Sequence, residues 1–147
     1  MIKVNVNVTI DASVEKVWEF VSDLGTATLR DPTVVKVDWQ PPAGAGTVAI
    51  ITHRFIGKRT ARYEIKEWEP NHKFRAQVTS MGTKLDGTYT MEPIQGGKTN
   101  LNVSVGLEVG GLMRLFSPYI SRKARKDAPE EMARIKSILE ARNRTAS

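Results

Sequence analysis

The chain predicts an α+β fold, in which a curved antiparallel sheet of about six to seven strands wraps around one long C-terminal helix. Three observations carry this expectation. Apolar or small residues recur at Phe116, Ile120, Ala124, Ala128, Met132, Ile135 and Leu139, four apart and once three, so they form one stripe of a 3.6-residue helix within Gly110 to Arg142. Almost everything before that stretch reads as strands separated by turn residues. A helix of roughly thirty residues is about 45 Å long at 1.5 Å per residue, so a broad surface has to cover its stripe.

Taken in order, Ile2, Val4, Val6, Val8 and Ile10 alternate with Lys3, Asn5, Asn7 and Thr9, the period of a strand with one face buried. Ser13 then stands as a helix N-cap with Glu15 in the first turn, and Val14, Val17, Trp18 and Val21 form the apolar stripe of a short helix ending near Asp23-Leu24-Gly25. A second helical turn over Thr26 to Arg30 is closed by Asp31-Pro32, because a residue before proline is pushed out of the helical region. From Val34 to Leu107 the pattern is an antiparallel meander: Val34 to Trp39, Thr47 to Phe55, Thr60 to Trp68, Lys73 to Ser80, Leu85 to Glu92 and Leu101 to Leu107 are strands. Turns are expected at Gly57-Lys58, Glu69-Pro70-Asn71, Met81 to Lys84 and Gln95-Gly96-Gly97. In the second of these strands the inner face is either Thr47, Ala49 and Ile51 or the alternate Val48 and Ile50.

Gly110-Gly111 releases the chain into the terminal helix. Ser117-Pro118 and Asp127-Ala128-Pro129-Glu130 look like helix starts, so kinks or breaks are expected near both, since an internal proline removes a hydrogen bond and clashes with the preceding turn. Leu112 to Tyr119 then becomes a movable first segment beside the glycine pair.

Length and composition narrow the functional classes. The 147 residues suit one domain, 1–147, with a core large enough to need no disulfide or cofactor. The absence of cysteine removes thiolate metal sites and a cysteine nucleophile, and with His53 and His72 the only histidines no metal site is expected. Met1 to Ile10 lacks the apolar core of a signal peptide and no stretch approaches a membrane span, so a cytoplasmic protein is expected, in which the triplets at Asn7, Asn102 and Asn143 are not glycosylated. Of the formal net charge of +6, the segment from Arg114 onward carries +5, from nine Lys or Arg against four Asp or Glu. That basic face, with Arg122, Lys123, Arg125 and Lys126, is either the solvated back of a half-buried helix or a weak docking surface for an anionic membrane or a protein. Nucleic acid is not expected as a partner, since no strand carries an exposed aromatic platform for bases, and no obligate partner is implied.

The element order, together with Ile10-Asp11-Ala12-Ser13-Val14-Glu15-Lys16-Val17-Trp18-Glu19-Phe20, Asp23, Gly46-Thr47, Glu67-Trp68-Glu69-Pro70 and Gly96-Gly97-Lys98-Thr99, resembles the START-like (SRPBCC) superfamily of helix-grip proteins. Within it the chain is similar to the polyketide cyclase/dehydrase and lipid-transport family. The resemblance implies a largely apolar cavity between sheet and helix, a small hydrophobic ligand such as a lipid, isoprenoid or polyketide, and no cofactor. For aromatase/cyclase members it implies polar cavity groups that orient a polyketide and assist aldol-type closure by proton transfer. No diagnostic catalytic set of that kind matches residue by residue.

Small residues at Ala49, Ala76, Gly87, Gly106, Gly110 and Gly111 leave room for a pocket. Its expected lining is Ile51, His53, Tyr63, Phe74, Met81, Tyr89, Met113, Phe116 and Tyr119, in which Met adapts to irregular shapes and Tyr offers an apolar ring with one polar tip. His53 suits acid/base work near the rim if it shares the face of Ala49 and Ile51, and a structural role otherwise. Arg62 and Asp86 are mid-strand charges that alternation sends to solvent as cross-strand partners; turned inward, either would be the polar anchor of a ligand. An inward polar pair, His53 with Tyr89 or Arg62, is what a cyclase would require. Gly44-Ala45-Gly46-Thr47-Val48-Ala49 imitates a dinucleotide fingerprint but opens a strand rather than a helix, and is read as a turn.

Overall fold

The computed structural model describes residues 2–54, 58–80 and 82–145. Strand β1 (Ile2–Ile10) leads through the Ser13 cap into α1 (Val14–Val21), a 3-10 turn (Leu24–Thr26) and the single-turn helix α2 (Ala27–Arg30). Six strands follow, β2 (Val34–Asp38), β3 (Val48–Arg54), β4 (Lys58–Glu69), β5 (Lys73–Ser80), β6 (Thr83–Ile94) and β7 (Lys98–Glu108), then a second 3-10 turn (Gly111–Phe116) and helix α3 (Ser117–Thr145). All strands pair antiparallel in one seven-stranded sheet, ordered β1-β7-β6-β5-β4-β3-β2. Register shifts between Val34 and Lys36 and between Ile65 and Glu67 are the irregularities that increase local twist and bend a sheet. The chain thus has the helix-grip architecture that the sequence predicts. Among the described residues, no helix is long and apolar enough to cross a membrane.

The side-chain period decides which face of each strand is inside. In β3, Ala49 is 1% exposed whereas Val48 and Ile50 are 40% and 42% exposed, so the inner face is Ala49, Ile51 and His53. Arg62 and Asp86 lie on the opposite face: Arg62 pairs with Glu64 at 2.6 Å, and Asp86 accepts from Arg75 at 2.9 and 2.7 Å and from Gln77 at 3.1 Å.

The main core lies under the C-terminal half of α3, where Met132, Ile135 and Leu139 meet Ile10, Val17, Trp18, Phe20 and the β7 residues Leu101 and Val103. An aromatic cluster closes it. Trp18 packs edge-on against Trp68 and Phe74 at centroid distances of 4.9 and 5.9 Å, and Phe74 stacks on Tyr89 at 4.9 Å. Polar ties hold this end of α3 to the loop after β1 and to α1: Asn143 donates to the Asp11 carbonyl, Lys16 to the Asn143 side chain, and the Asp11 N–H to Glu140.

Two expectations about the terminal helix are corrected. The helix is not broken at Asp127-Ala128-Pro129, but runs from Ser117 to Thr145 with Pro129 inside it. Buried anchors on both sides, Ile120 before and Met132 to Leu139 after, hold the backbone helical through a proline on the exposed face. Asp127 is not a cap; it pairs with Lys123 at 2.9 Å one turn back. Ser117-Pro118 opens α3 instead of interrupting it, and in a first turn the missing proline N–H costs nothing.

The chain reaches α3 over a close crossing. A Cβ on Gly110 would lie 2.7 Å from the Gly82 carbonyl oxygen, and Gly111 has φ +61°, so this passage suits glycine twice over. Met81 and Gly57 lie outside the described residues, and with them the expected lining role of the first and part of the expected turn at the second.

Candidate functional site

Three cross-strand rows build the concave wall. Ala49, Tyr63, Val78, Leu85 and Leu107 stand in register across five strands, and Ile65, Ala76, Gly87 and Val105 form the next row. Trp68, Phe74, Tyr89 and Val103 form the row beyond. Bulk fills the space in this last row, and small residues leave it open in the second. Opposite, Ala124 and Ala128 continue the α3 stripe between Ile120 and Met132, so the helix too carries small side chains where the sheet does. The result is a cavity of about 380 Å³ whose wall is mostly apolar, formed by β2 to β7, α2, Met113 and the N-terminal half of α3. That volume is within the range of small-molecule sites.

A polar cluster interrupts this wall. Tyr89 donates its hydroxyl to Glu131 at 2.8 Å. The Arg30 guanidinium carbon lies 6.0 Å from the centroid of the Tyr89 ring, and the Arg134 Nε donates to the Arg30 carbonyl at 2.6 Å, tying α2 to α3. Arg30 is 6% exposed, and its Nε has no hydrogen-bond partner among the described residues. A buried polar group left so costs about 1–3 kcal/mol.

Burial works against the Arg30 charge, but the field of Tyr89, Glu131, Tyr63 and Asp31 outweighs it and holds the pKa above its ordinary value. At neutral pH the two carboxylates carry that field, because burial pushes Tyr63 up to about 12, and burial together with Glu131 pushes Tyr89 well above 10. Both phenols therefore keep their protons. Burial lowers the His53 pKa against the opposing pull of Asp31, which leaves a neutral imidazole at the cavity wall.

Of the expected lining residues, the cavity brings together Ile51, His53, Tyr63, Tyr89 and Met113. Phe74 does not line it: the residue is 1% exposed and lies behind Tyr89 in the aromatic core. Phe116 and Tyr119 do not line it either, with 48% and 55% of their surface exposed. The reason is local. Phe116 belongs to the 3-10 turn, whose three-residue repeat puts it out of phase with the α3 stripe, and Tyr119 lies one position off Ile120. Of the paired candidates, His53 and Tyr89 share the cavity and Arg62 is on the far side of the sheet. In the basic cluster of α3, Lys123 pairs with Asp127 and also lines the cavity, and Arg125 leans on the Lys3 carbonyl at 3.5 Å.

Arg30, Glu131 and Arg134 are cavity residues that the sequence reading missed. A signal existed for Glu131. It is three residues from Ala128 and four from Ile135, hence on the buried stripe. For Arg30 the sole hint is its spacing of three from Ala27, in a segment too short to show a period.

Comparison with solved structures places this geometry among known folds. The Zhui aromatase/cyclase from Streptomyces sp. R1128 superposes with a TM-score of 0.79 at 16% identity, covering 99% of this chain and 97% of that one. A protein from Thermus thermophilus gives 0.77 at 17% identity, covering 95% and 97%, and a START superfamily protein from Mycobacterium smegmatis gives 0.68 at 18%, covering 99% of each. At these identities the likeness is one of fold. A search of curated proteins finds no match. The family model for polyketide cyclase/dehydrase and lipid transport matches residues 1–140, and a chain that matches over that span and folds as a sheet gripping a terminal helix belongs to that family, within the START-like SRPBCC superfamily.

Proposed function

We propose that the protein binds a small hydrophobic molecule, such as a lipid, isoprenoid or polyketide, in the cavity between sheet and α3. The observation that carries this reading is the cavity itself: about 380 Å³ of space bounded by apolar side chains, where Ala61, Ala76, Gly87, Ala124 and Ala128 stand at positions that bulky residues would otherwise fill. A dense core would be more stable; retained space with a few convergent polar groups is the usual form of a ligand site. Native mass spectrometry of protein purified from its own host should show a co-purifying apolar molecule, and a lipophilic fluorescent probe should bind and be displaced by that molecule. Protein that is empty and takes up none of a panel of such probes would sink the reading.

A second reading, a polyketide aromatase/cyclase, is favoured by the hydroxyl and titratable groups in the cavity. A neutral His53 can take the α-proton of a poly-β-ketone, the resulting enolate carbon attacks a second carbonyl, and the Tyr63 phenol gives its proton to the alkoxide formed there. The imidazolium then loses its proton to solvent and the phenolate takes one from solvent, which restores both groups. It requires that His53→Ala and Tyr63→Phe each slow ring closure of such a chain by ~10²–10⁴ while leaving its binding intact.

A further inference from the structure

Two side chains of the cavity wall carry a buried atom without a hydrogen-bond partner among the described residues, Thr83 at Oγ1 and Arg30 at Nε, and of these Arg30 is the charged one. This side chain lines the wall, is 6% exposed, and has an Nε without a hydrogen-bond partner among the described residues. Two carboxylates stand near enough to act on its charge but do not bond its Nε: Glu131 receives the Tyr89 hydroxyl at 2.8 Å, and one oxygen of Asp31 receives the backbone N–H and hydroxyl of Thr33 at 2.9 and 2.7 Å. The backbone that carries it is fixed against α3, since the Arg134 Nε donates to the Arg30 carbonyl at 2.6 Å. Elsewhere the wall is chiefly apolar, with Ile51, Val78, Leu85 and Leu107 among its members. Three basic and three acidic side chains line the whole cavity, so its formal charge does not exclude an anion.

From this we infer that the ligand is an apolar carboxylic acid, whose carboxylate is received by Arg30 while its hydrocarbon part lies along the apolar wall. The inference rests on the hydrophobic-ligand reading and names the ligand's polar end. A guanidinium presents a planar fork of N–H donors that matches the two oxygens of a carboxylate, and an ionised acceptor makes each bond about twice as strong as a neutral one. A hydroxyl of the same chain length has one oxygen and no charge to offer. A ligand amine would bring a second cation against a guanidinium that is already short of acceptors.

The test is calorimetric titration of the full chain with decanoate, decan-1-ol and decylamine at pH 7.5, for the wild type, Arg30→Gln and Arg30→Lys. The wild type should bind decanoate at least about tenfold more tightly than decan-1-ol, and decylamine most weakly. Arg30→Gln should abolish the preference, so that this variant binds decanoate no more tightly than it binds decan-1-ol, and Arg30→Lys should retain part of it. Equal affinity of the wild type for decanoate and decan-1-ol, or a preference that survives in Arg30→Gln, would overturn the assignment and leave the hydrophobic-ligand reading standing. Failure of all three to bind would overturn both. The wild-type comparison decides even if a variant does not fold.

Discussion

His53 is the residue of the described cavity wall whose charge can change near neutral pH. Burial disfavours its imidazolium, so its folded pKa lies below 6.5, while in the unfolded chain the ring protonates near that value. Below about pH 6.5 the unfolded state therefore takes up a proton that the folded state refuses. Its contribution to stability is fully present above that pH and is lost as the pH falls through the lowered folded value. Replacing it with glutamine, which stays neutral, should flatten the acid limb of a melting-temperature-against-pH curve. Parallel curves for His53→Gln and wild type would show that the imidazole is not desolvated in this way. Tyr63 and Tyr89 have no such effect near neutrality, because both remain protonated there.

At the scale of elements, α3 divides its labour along its length. Its C-terminal half carries Met132, Ile135 and Leu139 into the core, and its N-terminal half sets Ala124 and Ala128 over the cavity. The two halves should therefore answer differently to mutation. Met132→Ala opens a void in a packed site and should cost about 2–5 kcal/mol in chemical denaturation. Ala128→Leu adds three carbons where space already exists, so it should leave stability within about 1 kcal/mol of wild type while weakening probe binding by about tenfold or more. Equal destabilisation by both would mean that Ala128 faces packed core rather than open space. The sheet is divided in the same manner, since the row of Trp68, Phe74 and Tyr89 is filled and the row of Ala76 and Gly87 is not.

For the whole molecule, folding and binding draw on separate regions that share one helix. Lys136 on the Thr9 carbonyl and Asn143 on the Asp11 carbonyl bind the distal half of α3 to β1 and the loop after it, so the helix is anchored at the end away from the cavity. A ligand that fills the cavity adds contacts between sheet and helix that the empty protein lacks. Present at one hundred times its dissociation constant, it should stabilise the fold by about 2.7 kcal/mol. For a domain of this size that corresponds to a rise of roughly 5–11 °C in Tm by scanning calorimetry. A molecule that binds without raising Tm is bound at the surface or binds the unfolded chain as well.

The sequence by itself determined the element order, the antiparallel meander and the helix over it, because both signals are local: period 2 in β1 and β7, and a 3.6-residue stripe from Ile120 to Leu139. It also named part of the cavity wall, since Ile51, Tyr63 and Tyr89 stand in the strands whose inner faces bound the cavity. Tertiary structure alone decided the rest. Ala49 and Val48 are both apolar, so only the pairing of β3 with β4 could choose the inner face. Pro129 marks a helix start by every local rule, and the anchors at Ile120 and Met132 override it. Arg30 stands in a segment too short to show a period, and the stripe that includes Glu131 does not name its partner; it is the crossing of α2, β6 and α3 that brings both beside Tyr89. Where a side chain's environment comes from neighbours a hundred residues away, no window of the sequence can contain it.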